Sequence, residues 1–126
     1  MKWLMVFICL IARITAADWL ESYDEAIAKA QESDKPILAI VMRESCPYCQ
    51  MLIHETLPNK AIDETITNNF VPLMLDIEKA PEQTARSRLN ARAVPASFIL
   101  NAQGAQIAVL VGYRSPMEFM RFLQQD

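Results

Sequence analysis

The segment that most constrains the fold is ILAIVM at residues 37–42, an unbroken apolar run rich in branched side chains. A half-exposed strand alternates apolar and polar residues, whereas this run has an apolar side chain at every position. The pattern therefore predicts a strand covered on both faces, as in the centre of a parallel sheet flanked by helices. Asp34, Lys35 and Pro36 stand directly before the run and predict the end of a preceding helix.

Two cysteines follow this strand in the tetrapeptide CPYC of residues 46–49. Pro47 suits the first position of a helix, because an N–H at that position has no intrahelical partner to lose. Cys46 is therefore expected at the helix start and Cys49 one turn inside. The positive end of a helix favours the thiolate, which is the reactive form of cysteine, and we expect a depressed pKa at Cys46. Tyr48 is predicted to be a partly exposed aromatic beside the reactive sulfur.

A cysteine pair with this spacing can be a redox couple, a structural disulfide or part of a metal site. A structural disulfide stabilises more when it closes a long loop, and this loop is near the short limit. A structural metal site usually takes four ligands, and the chain has a single histidine, His54. The redox couple is our interpretation, with Cys46 attacking and Cys49 resolving, and the other two remain alternatives. His54 is predicted to be a surface residue and not a catalytic partner.

The first 17 residues differ from the remainder of the chain. Lys2 supplies a positive start, an apolar run follows, and small residues lead up to Ala17. The apolar run is shorter than the roughly 20 residues of a membrane span. We predict a secretory signal peptide at 1–17, cleaved after Ala17, and a mature domain at 18–126 of a periplasmic protein. The alternative is an uncleaved N-terminal membrane anchor.

Composition limits the classes of partner. With 126 residues, of which 52% are hydrophobic, the chain can form one domain with a core. A formal net charge of −3 argues against nucleic acid or an anionic membrane as partner. Cleavage of the leader would remove Cys9 and leave Cys46 and Cys49 in an oxidising compartment, where disulfides persist.

The remaining patterns predict alternating helices and strands. Two capping boxes, Ser22 with Glu25 and Ser115 with Glu118, each predict a helix start. Helices are predicted at 22–31, 47–57, 59–70, 81–90 and 115–125, and strands at 37–42, 70–77, 94–100 and 105–111. Pro72 places the first half of its strand toward an edge of the sheet or at the start of the strand. The predicted fold class is α/β, with a mixed central sheet between helices on both faces, in three layers.

The chain resembles the thioredoxin-fold oxidoreductases, and the exported members in particular, in three segments: the strand at 37–42, the CPYC pair at a helix start and the later AVPASFIL at 93–100. The resemblance covers nearly all of residues 18–126. It implies that the Val94–Pro95 peptide bond is cis and lies beside the cysteine pair. It also implies that a substrate strand pairs with the backbone of Val94. The alternative is an ordinary trans proline at the start of a strand.

Two positions depart from the pattern of thioredoxins proper. Ile40 stands where they carry a buried aspartate that moves protons for the inner cysteine, and the tryptophan expected just before the motif is absent, since residues 43–45 are RES. Glu44 is either a substitute proton carrier or a solvated loop carboxylate. The Pro-Tyr pair is shared with glutaredoxins, but their basic glutathione site is not evident. The reduction potential therefore cannot be carried over from thioredoxin.

The resemblance implies a thiol–disulfide oxidoreductase that exchanges disulfides with exported client proteins, without a cofactor and without a metal. A monomer is expected. The family's periplasmic oxidases carry a large helical insertion and its isomerases a dimerisation domain. Neither fits in the mature length, which favours a reductant recharged by a membrane redox donor. The alternatives are a disulfide oxidase and a non-catalytic binding module that uses the Val94–Pro95 edge.

Two further groups of residues are predicted to have no chemical role. The arginines of the fourth predicted helix and beyond form a solvated face and not an anion site: Arg86, Arg88 and Arg92. The methionines fill the core and do not bind metal: Met42, Met51, Met74, Met117 and Met120.

Overall fold

The computed structural model describes residues 17–79 and 88–125. In chain order the elements are α1 (Tyr23–Ser33), β1 (Ile37–Met42), α2 (Pro47–Met51), a π-helical turn (Leu52–Thr56), α3 (Lys60–Asn69), β2 (Val71–Asp76), β3 (Ala96–Leu100), β4 (Gln106–Val111) and α4 (Pro116–Leu123). The predicted helix at 81–90 and the predicted signal peptide, Ala17 apart, lie mainly outside the described residues.

The four strands form one mixed sheet in the order β2-β1-β3-β4. β1 pairs in parallel with β2 and antiparallel with β3, and β3 pairs antiparallel with β4. Every residue of β1 is buried, so ILAIVM is a central strand, as the sequence predicted. The mixed α/β sheet is therefore confirmed.

Side chains of β1 alternate between two separate cores. Ala39 and Val41 pack in one core with Ala30 of α1. Ile40 packs in the other core with Phe119 of α4, and with residues of the π-helical turn and α3. Since successive strand residues point to opposite faces, helices cover both sides of the sheet. This arrangement confirms the three predicted layers.

The chain before α1 runs along the outer edge of β2. The N–H of Leu20 donates to the carbonyl oxygen of Pro72 at 2.9 Å, and the N–H of Met74 donates to Leu20 at 2.8 Å. Because β2 is an outer strand of the four-stranded sheet, Pro72 is on an edge strand, as predicted. Ala17 is buried, and its N–H donates to Oδ1 of Asp63 at 2.9 Å, a bond that a chain cleaved after Ala17 would lack. Among the described residues, no helix is long and apolar enough to cross a membrane.

The two predicted capping boxes differ in outcome. Oγ of Ser22 accepts from the N–H of Glu25 at 3.3 Å, which confirms that α1 begins there. Ser115 precedes α4 but its side chain accepts no backbone N–H, and its hydroxyl donates to Oε1 of Glu118 at 3.4 Å. The predicted reciprocal cap is therefore wrong at Ser115. The other oxygen of this carboxylate, Oε2, lies 3.5 Å from Nε of Arg114.

The core role predicted for the methionines is wrong for one of them. Met117 is 68% exposed. In α4, Phe119 and Phe122 face the core, and a residue two positions before Phe119 lies about 200° around the helix from it. Met117 therefore faces solvent.

The helix that carries the cysteines does not continue as a regular α-helix to residue 57. At Leu52–Thr56 it widens into a π-helical turn, and the N–H of Leu57 donates to the carbonyl of Leu52 at 2.9 Å. The side chain of Thr56 is fully buried, and its hydroxyl donates to the carbonyl of Arg114 at 2.8 Å. This bond ties the end of the cysteine helix to the loop before α4.

Candidate active site

Cys46 lies at the start of α2, four residues after the end of β1. Its N–H donates to the carbonyl of Arg43 at 3.1 Å and closes a turn, and Pro47 takes the first helical turn. Its sulfur accepts the N–H of Cys49 at 3.2 Å. The predicted helix start is thus confirmed, and the cysteine side chain acts as the N-cap.

The two sulfurs are free thiols, and both residues are buried. Cys46 is 8% exposed, whereas Cys49 is fully buried in an apolar cluster with Met42 and Met74. Burial raises the pKa of the Cys49 thiol from 9.0 to about 12, and the side-chain hydrogen bond with Cys46 and its charge add to this increase. The backbone and the charge of Arg43 act in the opposite direction. Cys49 is therefore a protonated thiol at neutral pH.

Val94 and Pro95 lie beside the cysteines, although Val94 is 48 residues from Cys46 in the chain. The thiol of Cys46 donates to the carbonyl oxygen of Val94 at 3.9 Å. The Val94–Pro95 peptide bond is cis. The carbonyl of Pro95 accepts the N–H of Gly112 at 2.7 Å, which fixes this segment to the end of β4. The structure thus brings together Cys46, Cys49, Val94 and Pro95.

The sheet beneath the cysteines is apolar at the position where thioredoxins carry an aspartate. Ile40 is fully buried and pairs with Met74 on β2 and Ser97 on β3. Ser97 is also buried, and its hydroxyl has no hydrogen-bond partner among the described residues. No carboxylate occurs in this row of the sheet.

Three polar residues around α2 hold its loop in place. The backbone carbonyl of Glu44 accepts from Nε2 of Gln50 at 3.0 Å, and Oε1 of Gln50 lies 3.1 Å from Nε2 of His54. Glu44 and His54 are exposed. His54 is therefore a surface residue, as predicted, and Glu44 contributes a carbonyl to the loop. Tyr48 is 62% exposed beside Cys46, also as predicted.

An ionic contact that the sequence did not predict lies beside the site. The hydroxyl of Ser45 donates to Oε1 of Glu78 at 2.6 Å, and Nε of Arg43 lies 3.8 Å from the same oxygen. These residues come from the loops that follow β1 and β2. The two strands are parallel neighbours, so their carboxyl ends lie at the same edge of the sheet. This rule could have predicted from the sequence that the loops after β1 and β2 are in contact.

A groove of about 620 Å³ opens beside Val94, and its walls include Arg43, Ile77 and Arg92. Arg88 is not part of its lining, and Nη1 of Arg88 donates to Oδ1 of Asp24 at 2.9 Å. Arg88 and Arg92 are both exposed, in agreement with the predicted solvated face, and Arg86 lies outside the described residues. Within residues 17–79 and 88–125, no cluster of three histidine, cysteine or acidic side chains could hold a metal ion.

A family model described as a thioredoxin-like domain matches residues 23–125. The chain belongs to the thioredoxin-like domain family. Its fold is the thioredoxin fold, as the sequence predicted. A thioredoxin from Thermus thermophilus superposes with a TM-score of 0.77 at 24% identity, covering 88% of this chain and 87% of that one.

Other relatives extend the comparison. The C-terminal domain of DsbD from Neisseria meningitidis, in its oxidised form, has a TM-score of 0.71 at 16% identity, covering 86% of this chain and 98% of that one. Anterior gradient protein 3 of Mus musculus is 39% identical over 57 residues, which are 45% of this chain and 34% of that protein. The chain thus matches about a third of the length of this curated relative. At such identities the two solved structures show a shared fold.

Proposed function

We propose that this protein is a thiol–disulfide oxidoreductase in which Cys46 attacks and Cys49 resolves. One observation carries the proposal. The sulfur of Cys46 accepts the N–H of Cys49. The residue Cys46 is 8% exposed, whereas Cys49 is fully buried. A helix-start N–H stabilises negative charge on sulfur, which activates the outer cysteine. Burial keeps the inner thiol protected until a mixed disulfide has formed.

In the reductive direction, the thiolate of Cys46 attacks one sulfur of a client disulfide. The client S–S bond breaks, a mixed disulfide forms, and the other client sulfur leaves as a thiolate that takes a proton. Cys49 then loses its proton and attacks the sulfur of Cys46. The mixed disulfide breaks, the second client thiolate leaves and is protonated, and a Cys46–Cys49 disulfide remains. Two electrons have passed from the pair to the client. One of the two protons comes from Cys49, and the other comes from solvent, which received it when Cys46 ionised.

A dithiol donor must reduce the Cys46–Cys49 disulfide before the next cycle, and we propose a membrane redox protein for this step. The reductive direction is part of the proposal, and the reduction potential of the pair tests it. Oxidation of clients would run the same steps in reverse.

Val94 and Pro95 are proposed to receive the client. The carbonyl oxygen of Val94 lies 3.9 Å from the sulfur of Cys46, so an extended segment pairing there has its own sulfur close to Cys46. Tyr48 offers an exposed aromatic surface to the same client. No cofactor is needed for these steps.

The activity is tested by reduction of insulin with dithiothreitol as the electron source. We expect turnover by the wild type and background rates for Cys46→Ser. Equilibration of the pair with a thiol–disulfide buffer then gives the direction. A reductant should have a potential below about −200 mV, whereas about −120 mV is typical of a strong oxidant. If the protein does not turn over insulin and Cys46 and Cys49 stay locked as a disulfide, the protein is instead a binding module.

Export is proposed from the leader alone. The positive start and apolar run predict cleavage after Ala17, so mass spectrometry of the exported protein should find Asp18 at its N-terminus. A protein that retains Met1 and sediments with membranes would indicate the anchored alternative.

A further inference from the structure

The groove beside Val94 carries positive charge next to the sulfur of Cys46. Arg43 and Arg92 line it from different segments, one just after β1 and the other just before the Val94–Pro95 bond. Both arginines are exposed. Val94 lines the same groove, and its carbonyl is the group 3.9 Å from Sγ of Cys46. A segment lying in the groove is therefore beside the cysteine.

Within residues 17–79 and 88–125, the acidic group paired with Arg43 is Glu78, and it holds the guanidinium only loosely. Nε of Arg43 and Oε1 of Glu78 are 3.8 Å apart, whereas a charge-assisted hydrogen bond is about 2.7–2.9 Å long. Oε1 of Glu78 also accepts the hydroxyl of Ser45 at 2.6 Å. The side chain of Arg43 is 46% exposed, so its donors can turn toward an incoming carboxylate.

A second cavity has a different charge. Its volume is about 400 Å³, Gln50 of α2 lines it, and its charged residues are Glu21, Glu44 and Asp76 together with Lys79. A client near the start of α2 thus meets guanidinium groups, one of them beside Glu78, in the groove and mainly carboxylates in this cavity. Such an asymmetry selects the orientation and the charge of a ligand more than its overall affinity.

We propose that the clients of this protein carry an acidic side chain next to the cysteine that Cys46 attacks, and that Arg43 and Arg92 bind this carboxylate. The inference rests on the proposed exchange at Cys46 and names its substrate class. It also revises the solvated role that the sequence predicted for Arg92. Exposed charges act mainly on the association rate and are screened by salt, so the preference should appear in kcat/KM and fade at high ionic strength.

The test uses three peptides, each closed by one intramolecular disulfide and differing at the two positions beside the attacked cysteine, which are Glu, Gln or Lys. For the wild type at low salt, kcat/KM should be about tenfold higher for the Glu peptide than for the Lys peptide. The double variant Arg43→Gln, Arg92→Gln should reduce this ratio to near one. The matched control Arg121→Gln, which removes the same charge from α4, should keep the ratio and the activity.

A second measurement needs no turnover. The same peptides with serine in place of cysteine are labelled, and their binding to the Cys46→Ser protein is followed by fluorescence anisotropy. The Glu peptide should bind tighter than the Lys peptide, and the arginine double variant should lose this difference. Equal binding and equal kcat/KM for all three peptides would overturn the inference and leave the oxidoreductase proposal intact. Charge-selective binding without any turnover would support the groove and overturn the proposed function.

Discussion

The backbone N–H of Cys49 donates to the sulfur of Cys46 at 3.2 Å, so the fully buried cysteine supplies a hydrogen-bond donor to the cysteine nearer the surface. The donor belongs to the main chain and does not depend on the side chain at position 49. A substitution of the Cys49 thiol therefore leaves the donor at Cys46 in place. This relationship allows the two sulfurs to be tested separately.

Alkylation should distinguish the two cysteines. At neutral pH iodoacetamide should modify Cys46 first, and Cys49 at least about tenfold more slowly, because burial and a pKa of about 12 leave little accessible thiolate at Cys49. Peptide mass spectrometry over time gives both rates. Cys49→Ser should accumulate mixed disulfides with client proteins, and Cys46→Ser should not. Equal alkylation rates, or accumulation by Cys46→Ser, would contradict the assigned roles.

Stability should fall at alkaline pH because of Cys49. Its pKa is raised from 9.0 to about 12 by folding, so the unfolded chain loses this proton at lower pH than the folded protein. The stabilisation is complete below pH 9 and is lost as the pH rises toward 12.

Urea unfolding under a reducing agent measures this effect. The difference in free energy of unfolding between wild type and Cys49→Ala should shrink between about pH 8 and about pH 11. The comparison with the variant removes the contributions of lysine and tyrosine side chains that titrate in the same range. A difference that stays constant with pH would show that the thiol of Cys49 is not perturbed by folding.

Removal of the buried hydroxyl of Ser97 should stabilise the protein. Ser97 is 1% exposed, and its hydroxyl has no partner among the described residues, so folding leaves this group without its hydrogen bonds to water. Ser97→Ala should raise the free energy of unfolding by about 1 kcal/mol. Ser45→Ala is the control, because its hydroxyl donates to Glu78 and its loss should not stabilise. A less stable Ser97→Ala protein would refute the prediction.

Two glycines with positive φ allow backbone strain to be separated from steric contact. Gly104 has φ +86° and Gly112 has φ +91°, so alanine at either position should cost about 1–2 kcal/mol. At position 104 the added methyl group would also collide with the hydroxyl of Tyr23. At position 112 its nearest neighbour is Nη1 of the flexible Arg114 at 3.4 Å. Gly104→Ala should therefore be the more destabilising of the two.

The background Tyr23→Phe isolates the collision. Without the tyrosine hydroxyl, Gly104→Ala should lose about as much stability as Gly112→Ala, as measured by thermal or urea unfolding. If Gly104→Ala remains the worse substitution in the phenylalanine background, the contact with Tyr23 is not the cause.

Much of the scaffold could be predicted because its signals are local. The continuous apolar run of β1 predicted a central strand, and Pro72 predicted an edge strand, and both predictions are confirmed. Ser22 and Pro47 predicted helix starts, because the preference for serine at the N-cap and for proline at the first helical position depends on only one or two residues. At Ser115 the predicted helix start is also confirmed, but the predicted side-chain cap is absent. The carboxylate of Glu118 lies 3.5 Å from Nε of Arg114, a side chain outside the predicted motif.

The sequence by itself determined that Cys46 begins a helix after a buried strand, because the fixed φ of Pro47 and the unbroken apolar run act within a few residues. Only the tertiary structure decided that Met42 and Met74 enclose Cys49 and thereby raise its pKa. It also brought Val94 to the sulfur of Cys46 across 48 residues of chain. Desolvation depends on which distant side chains cover a group, and the chain order of a motif does not contain that information.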